Sequence, residues 1–243
     1  MKVIICKDYQ EMSAKAYEYI YSVMAEKNFE CILGLATGST PIGLYKNMVA
    51  DCKAGNVSYS RMKSVNLDEY IGLPITHDQS YCYFMRDNLF DHIDIDSKNY
   101  HLPQGNTADN EKACADYTAL LARMQQDVQV LGLGSNGHIG FNEPFTPFDS
   151  TTHIVKLTDN TRQDNARFFA SLNEVPTHSI TMGIANIMNA KSVLVLASGD
   201  NKAKAVKAMV EGAVTEEVPA SVLQNHKNVV VIVDEKAASL LRK

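Results

Sequence analysis

The chain has 243 residues, 45% of them hydrophobic, and no repeat, low-complexity tract or Gly/Ser linker divides it, so we expect a single domain over residues 1–243. Its formal net charge of −5 excludes a broadly basic face for nucleic acid, so we expect no nucleic-acid partner. No apolar run is long enough for a signal peptide or a bilayer span, so we expect a soluble cytoplasmic protein without membrane partners. The five cysteines are widely spaced without a C-x-x-C pair, which predicts free thiols and no metal site.

Short apolar runs alternate with helical patterns along the chain. The apolar runs predict strands at residues 3–6, 31–36, 63–67, 128–133, 192–197 and 228–233. The helical patterns lie at residues 8–27, 41–53, 110–125, 201–211 and 235–241. This alternation indicates the α/β class, with a doubly wound, mostly parallel Rossmann-like sheet and helices on both faces. Ligands bind such sheets at the carboxyl ends of the strands, so functional residues are expected directly after each strand.

The loop after the second predicted strand, ATGSTP at residues 36–41, has features of a phosphate site. Thr40 is expected to cap the next helix and Pro41 to be its first residue. Gly38 lets backbone N–H groups turn inward, hydroxyls add donors, and a helix N-terminus carries partial positive charge. An ordinary capped strand-to-helix turn fits the same segment, and no Gly-Lys-Thr follows that would make it a P-loop.

Two adjacent carboxylates, Asp68 and Glu69, follow the third predicted strand. Neighbouring side chains on an extended segment point to opposite sides, so the two are not expected to serve one site equally. One of them is predicted to be a functional carboxylate, although a solvated acidic turn is the alternative.

The segment GLGSNGHIGFNEP at residues 132–144 places a histidine and a carboxylate in a glycine-rich turn after the fourth predicted strand. The imidazole of His138 can give and take a proton near neutral pH. Glu143 is expected to accept a hydrogen bond from its other ring nitrogen and so fix the tautomer. The segment therefore predicts a catalytic loop.

Positive charge comes from later segments. Arg162 and Arg167 lie in TRQDNARFF at residues 161–169, and Lys202 opens the helix after the fifth predicted strand. The polar stretch at residues 145–175 is expected to be able to move as a lid, although a packed surface segment fits its composition equally.

Several of these segments together resemble the glucosamine-6-phosphate deaminase family. The matching segments are LATGSTP at 35–41, NLDEYIGL at 66–73, SYCYFM at 80–85, GSNGHIGFNEP at 134–144 and TRQDNARFF at 161–169. The resemblance runs over nearly the whole chain. It implies that an amino sugar phosphate, glucosamine 6-phosphate, is converted with water to fructose 6-phosphate and ammonia in amino sugar catabolism, without metal or organic cofactor.

The resemblance also implies roles for individual residues. Asp68 matches the base that removes the C2 proton and returns it at C1, and His138 matches the residue that moves a proton when the sugar ring opens. Asn136 and Glu143 match supporting residues, but some family members have aspartate in place of Asn136, so ring opening is expected to rely on His138 with Glu143. The residues predicted to bind substrate are Thr37, Gly38, Ser39, Thr40, Gly137, Arg167 and Lys202.

Two alternatives remain at this point. A 6-phosphogluconolactonase-like hydrolase would share the fold and a Gly-His turn. A sugar-phosphate-sensing domain would bind the ligand without turnover. Binding alone needs no proton shuttle, so the predicted proton-transfer residues argue against this alternative. The sequence predicts no oligomeric state.

Overall fold

A computed structural model describes residues 1–158, 162–163, 169 and 171–242. The described strands are β1 Lys2–Cys6, β2 Ile32–Leu35, β3 Lys63–Asn66, β4 Asp68–Tyr70, β5 Tyr100–His101, β6 Val128–Gly132, β7 His153–Lys156, β8 His178–Thr181, β9 Val193–Ala197 and β10 Val229–Asp234. In these residues a main sheet of seven parallel strands has the order β1-β10-β9-β6-β2-β3-β5. A small antiparallel sheet has the order β4-β8-β7.

Helices lie between the strands of the main sheet. Within the described ranges they include α1 Tyr9–Glu26, α2 Ile42–Lys53, α3 Tyr81–Asn88, α4 Asn110–Arg123, α5 Ile184–Met188 and α6 Ala203–Glu211. Side-chain oxygens of Asp8, Ser80 and Asp109 cap the first turns of α1, α3 and α4, and so satisfy backbone N–H groups that have no partner within the helix. No helix in the described ranges is long and apolar enough to cross a membrane.

The core lies on both faces of the main sheet. Strand β9 is buried throughout, and its residues alternate between two hydrophobic clusters. Val193 and Val195 pack with α4 and α6 on one face, whereas Leu194 and Leu196 pack with α1 and α2 on the other. This burial on both faces explains why the strands of the main sheet are rich in aliphatic residues rather than alternating with polar ones.

All six predicted strands belong to the main sheet, which confirms the α/β class and the mostly parallel arrangement. The small sheet and the short strand β5 were not predicted. The predicted helix at residues 235–241 is wrong, because this segment forms turns. Asp234 accepts a hydrogen bond from the N–H of Ala237, and the segment continues with single-turn bonds such as Leu241 N–H to the Ala238 carbonyl.

The predicted start of α2 is also wrong. Pro41 rather than Thr40 occupies the cap position, and no side chain of the loop caps the helix. The Tyr9 hydroxyl, at the start of α1, instead accepts a hydrogen bond of 2.8 Å from Gly43 N–H. The same hydroxyl lies 3.1 Å from the carbonyl oxygens of both Ser39 and Thr40. A distant tyrosine therefore replaces the local cap, which a reading of the loop alone could not reveal.

Candidate active site

A cavity of about 290 Å³ opens at the carboxyl edge of the main sheet. Its walls come from the loops that follow β2, β3, β6 and β9, and from the start of α3. The predicted site residues that line it are Thr37, Gly38, Ser39, Thr40, Asp68, His138 and Lys202. Four separate stretches of sequence thus meet at one point, as expected for the carboxyl ends of adjacent parallel strands.

A larger cavity of about 500 Å³ lies at the opposite, amino-terminal edge of the sheet. None of the predicted site residues that the structure describes lines it. Two of its lysines, Lys27 and Lys191, form ion pairs with Asp127 at 3.5 and 2.8 Å. Size alone does not identify the functional site, and we assign function to the smaller cavity because the proton-transfer groups are gathered there.

Asp68 lies where the main sheet passes into the small one. Leu67, the residue before it, donates its N–H to Leu35 of β2 and accepts from Met182, which follows β8. Asp68 is only 6% exposed and pairs with Thr181 of β8. Burial raises the pKa of Asp68 to about 8, and the nearby Glu69 carboxylate adds to the shift.

Glu69 has a different role from its neighbour. Its carboxylate accepts hydrogen bonds of 2.8 to 2.9 Å from the backbone N–H groups of Tyr70, Tyr81 and Cys82. Two of these donors belong to the first turn of α3, where a negative charge is stabilising. Asp68 therefore lines the cavity, whereas Glu69 anchors a helix.

The raised pKa of Asp68 leads to a prediction about stability. The folded protein holds a proton on Asp68 up to about pH 8, whereas an unfolded aspartate releases it near pH 3.8. The contribution of Asp68 to the free energy of unfolding therefore falls as the pH rises through this window. Asp68→Asn removes this pH dependence. The free energy of unfolding of the variant, measured by thermal melts, should therefore exceed that of wild type by a few kcal/mol at pH 9 and hardly at all at pH 4. An equal gain at both pH values would contradict the assignment.

His138 is the first of three side chains joined by hydrogen bonds. Its Nδ1 lies 2.7 Å from Oδ1 of Asn136, and the Asn136 amide nitrogen donates to Oε2 of Glu143 at 2.7 Å. The carboxylate of Glu143 can only accept when ionised, so the amide orientation is fixed and Nδ1 of His138 must be the donor. The neutral ring then keeps Nε2 available as a proton acceptor.

The expected direct hydrogen bond from His138 to Glu143 is wrong. Nδ1 of His138 and Oε1 of Glu143 are 3.6 Å apart, beyond hydrogen-bond range. The tight turn at Gly137, where φ is +86°, brings the Asn136 amide between them. Burial lowers the pKa of His138, and the positive charge of Lys202 adds to this while Glu143 opposes it.

Two glycines of the loop have identifiable steric roles. A side chain at Gly134 would overlap the imidazole of His138. Gly137, which was expected to contact substrate, does not line the cavity. Its Cα faces Val218, and its carbonyl accepts from Ala220 N–H at 2.9 Å. Gly137 therefore contributes to the shape of the loop without lining the cavity.

Lys202 lies in the single 3-10 turn Asp200–Lys202 between β9 and α6 and reaches the cavity wall. Arg167 falls outside the described residues. Arg162 donates to the carbonyls of Leu172 and Val175, so it binds within the stretch at residues 145–175. Part of that stretch is β7 of the small sheet. The proposed lid remains a prediction.

Sequence reasoning missed two aromatic residues of the cavity wall, Tyr81 and Phe141. Their rings stack nearly parallel with centroids 6.1 Å apart, and Tyr70 packs against both. SYCYFM at residues 80–85 is one of the segments that resemble the family, but an aromatic run at a helix start is typical of core packing. No metal-binding group of three or more His, Cys, Asp or Glu residues is found in the described ranges.

The fold and the site together define an α/β protein with a ligand cavity suited to proton transfer. The model of the family Glucosamine-6-phosphate isomerases/6-phosphogluconolactonase matches residues 7–232, and the chain belongs to this family. It is 52% identical over 242 residues to a glucosamine-6-phosphate deaminase of Clostridioides difficile (strain 630), covering 99% of this chain and 97% of the relative.

Solved structures agree with the fold. A monomeric glucosamine-6-phosphate deaminase superposes with a TM-score of 0.96 at 44% identity, over 99% of this chain and all of the other. A 6-phosphogluconolactonase from Trypanosoma brucei has a TM-score of 0.81 at 20% identity, over 99% and 98% of the two chains. The second match supports the fold alone.

Proposed function

We propose that this protein converts glucosamine 6-phosphate and water to fructose 6-phosphate and ammonia. The observation that carries the proposal is that Asp68 and His138 line one cavity with the Thr37 to Thr40 loop and Lys202. Full-length similarity to glucosamine-6-phosphate deaminases supports it. We propose that the protein acts in amino sugar catabolism, including that of N-acetylglucosamine, in the cytoplasm.

Binding of the phosphate fixes the sugar for chemistry at its other end. The Thr37 to Thr40 loop precedes α2, whose N-terminus carries partial positive charge, and Lys202 adds a full charge. C1 and C2 are remote from the phosphate, so the energy of phosphate binding can orient the reacting carbons. Arg167, which lies outside the described residues, is proposed as a further phosphate contact.

His138 opens the ring. Its Nε2 accepts the proton of the anomeric hydroxyl and then returns a proton to the ring oxygen, leaving an open-chain aldehyde. The lowered pKa of His138 keeps the ring neutral and ready to accept. Asn136 and Glu143 hold the ring in one tautomer during this exchange.

Asp68 carries out the isomerisation. Its carboxylate takes the C2 proton, which the neighbouring aldehyde has made acidic, while the substrate ammonium gives a proton to the aldehyde oxygen, so that an enolamine forms. Asp68 then delivers the proton to C1, which leaves a hydroxymethyl group at C1 and a protonated imine at C2. Water adds to C2, and ammonia leaves to give the ketone. The raised pKa of Asp68 strengthens it as a base, and the substrate ammonium on C2 favours the ionised carboxylate that the step requires.

The direct test is to incubate the purified protein with glucosamine 6-phosphate and measure ammonia and fructose 6-phosphate. Substrate deuterated at C2 should yield fructose 6-phosphate with deuterium at C1, since one base moves the proton. Failure to form either product would overturn the proposal. Hydrolysis of 6-phosphogluconolactone instead would favour a lactonase, and binding without turnover would favour a sensing domain.

Loss of the Lys202 charge should weaken substrate binding. Lys202→Met is expected to lower kcat/KM about 10- to 100-fold, mainly through KM, because a charged hydrogen bond to phosphate contributes about 1.5 to 3 kcal/mol. The matched control is Lys204→Met, which removes an exposed charge two residues further on that does not line the cavity. Steady-state kinetics in which both variants behave alike would refute a specific phosphate contact.

A further inference from the structure

Asp234 is a buried carboxylate that the proposed reaction does not use. It is the last residue of β10 and is 5% exposed. It does not line the cavity, yet it lies at the same edge of the sheet, because β10 is the neighbour of β9. A buried acidic group in this place requires compensating donors.

Two of the donors to Asp234, Ser198 and Gly199, belong to the loop that carries Lys202. The Ser198 hydroxyl donates to Oδ2 of Asp234 at 2.5 Å, and Gly199 N–H lies 3.0 and 3.1 Å from the two carboxylate oxygens. Ala237 N–H donates to Oδ1 at 2.8 Å. Burial would raise the pKa of Asp234, but these hydrogen bonds outweigh it and lower the pKa, so the group is ionised at neutral pH.

The hydrogen bonds that hold Gly199 also constrain Lys202, which lies one turn further along the chain. Gly199 has φ +95° and ψ 157°, a conformation that only glycine adopts readily. Its carbonyl accepts Lys202 N–H at 3.1 Å, and α6 begins at the next residue. The backbone of Lys202 is therefore one hydrogen-bonded turn away from the peptide that Asp234 holds.

We propose that Asp234 is a positioning residue, which holds the loop from Ser198 to Lys202 in the shape that directs the Lys202 ammonium into the phosphate end of the cavity. The inference rests on the proposed function. A carboxylate is needed because two oxygens receive one hydroxyl and two backbone N–H groups. An asparagine has one acceptor oxygen, and its amide hydrogens would face these donors.

The test compares Asp234→Asn with a matched control. Asp127 is 7% exposed, accepts a backbone N–H from Ile32 and pairs with lysines, but lies at the opposite edge of the sheet. Asp234→Asn should raise KM for glucosamine 6-phosphate about 10-fold, with kcat within about 3-fold of wild type. Inhibition by inorganic phosphate should weaken to the same degree. Asp127→Asn should lower the melting temperature and leave KM unchanged.

Two further variants separate positioning from general stability. Ser198→Ala removes one donor but keeps the Asp234 carboxylate and its backbone N–H donors, and should raise KM less than Asp234→Asn does. The double variant Lys202→Met/Asp234→Asn should have the KM of Lys202→Met alone, because Asp234 acts through that lysine. Additive effects, or an Asp234→Asn variant that is only less stable, would overturn the inference. Absence of product with wild-type protein would instead count against the proposed function, and phosphate affinity measured by calorimetry on the same variants would still test Asp234.

Discussion

Asp68→Asn should lower kcat about 10² to 10⁴-fold with little change in KM, the range expected when one general base is removed. Asparagine fills the same volume but cannot accept a proton from C2. The phosphate loop and Lys202 are untouched, so the phosphate contacts of the ground-state complex should form normally. The measurement is steady-state ammonia release, together with exchange of the C2 proton with solvent.

The neighbouring carboxylate supplies the control. Glu69→Gln removes a charge one residue away without removing a cavity group, so it should reduce thermal stability through α3 while kcat stays within about 10-fold of wild type. It should also lower the pKa of Asp68, because Glu69 raises it. The acid limb of the pH profile should then move to lower pH. Near-normal turnover by Asp68→Asn would reject Asp68 as the base.

His138→Gln has the second large expected effect, a loss of about 10² to 10⁴-fold in turnover of the cyclic sugar. Glutamine cannot shuttle a proton from the anomeric hydroxyl to the ring oxygen. The variant can act only on sugar molecules whose ring has already opened in solution. At high enzyme concentration this spontaneous opening limits the rate, so the rate should stop rising as more enzyme is added. The rate of the wild-type protein should remain proportional to enzyme concentration.

His153→Gln is the matched histidine control, since His153 lies in β7 with Nδ1 bonded to the Thr151 carbonyl and does not line the cavity. It should retain wild-type kinetics. If the rate of His138→Gln stayed proportional to enzyme at all concentrations, ring opening would have to be assigned to another group.

The main sheet could be predicted because its strands are buried on both faces and read as aliphatic runs, of which β9 is the clearest. The small sheet could not. Strand β4 has three residues, and a segment that short carries no periodicity, so Asp68 to Tyr70 read as a loop. The prediction of how α2 starts failed for a different reason, because Tyr9, more than 30 residues away, replaces the local cap.

The site was predictable to the extent that its groups follow strands directly. Asp68, His138 and Lys202 all line the cavity, as the convergence of strand ends implies. The contact between Asn136 and the ring depends on the turn at Gly137, and the position of Tyr81 depends on how Glu69 anchors α3. Both are tertiary features with no local pattern. The catalytic roles of Asp68 and His138, and the roles of the residues expected to bind phosphate, stay predictions; the latter are Thr37, Gly38, Ser39, Thr40, Arg167 and Lys202.

The link between the two sheets limits how the chain can vary in length. Only Leu67 separates β3 from β4, and the backbone of Leu67 is bonded to both sheets. A slip of one residue between β4 and β8 would turn Asp68 away from the cavity and present Leu67 or the longer Glu69 side chain instead. Insertions and deletions at this point should therefore abolish the site even where substitutions are tolerated, and natural variation in loop length is expected elsewhere in the chain.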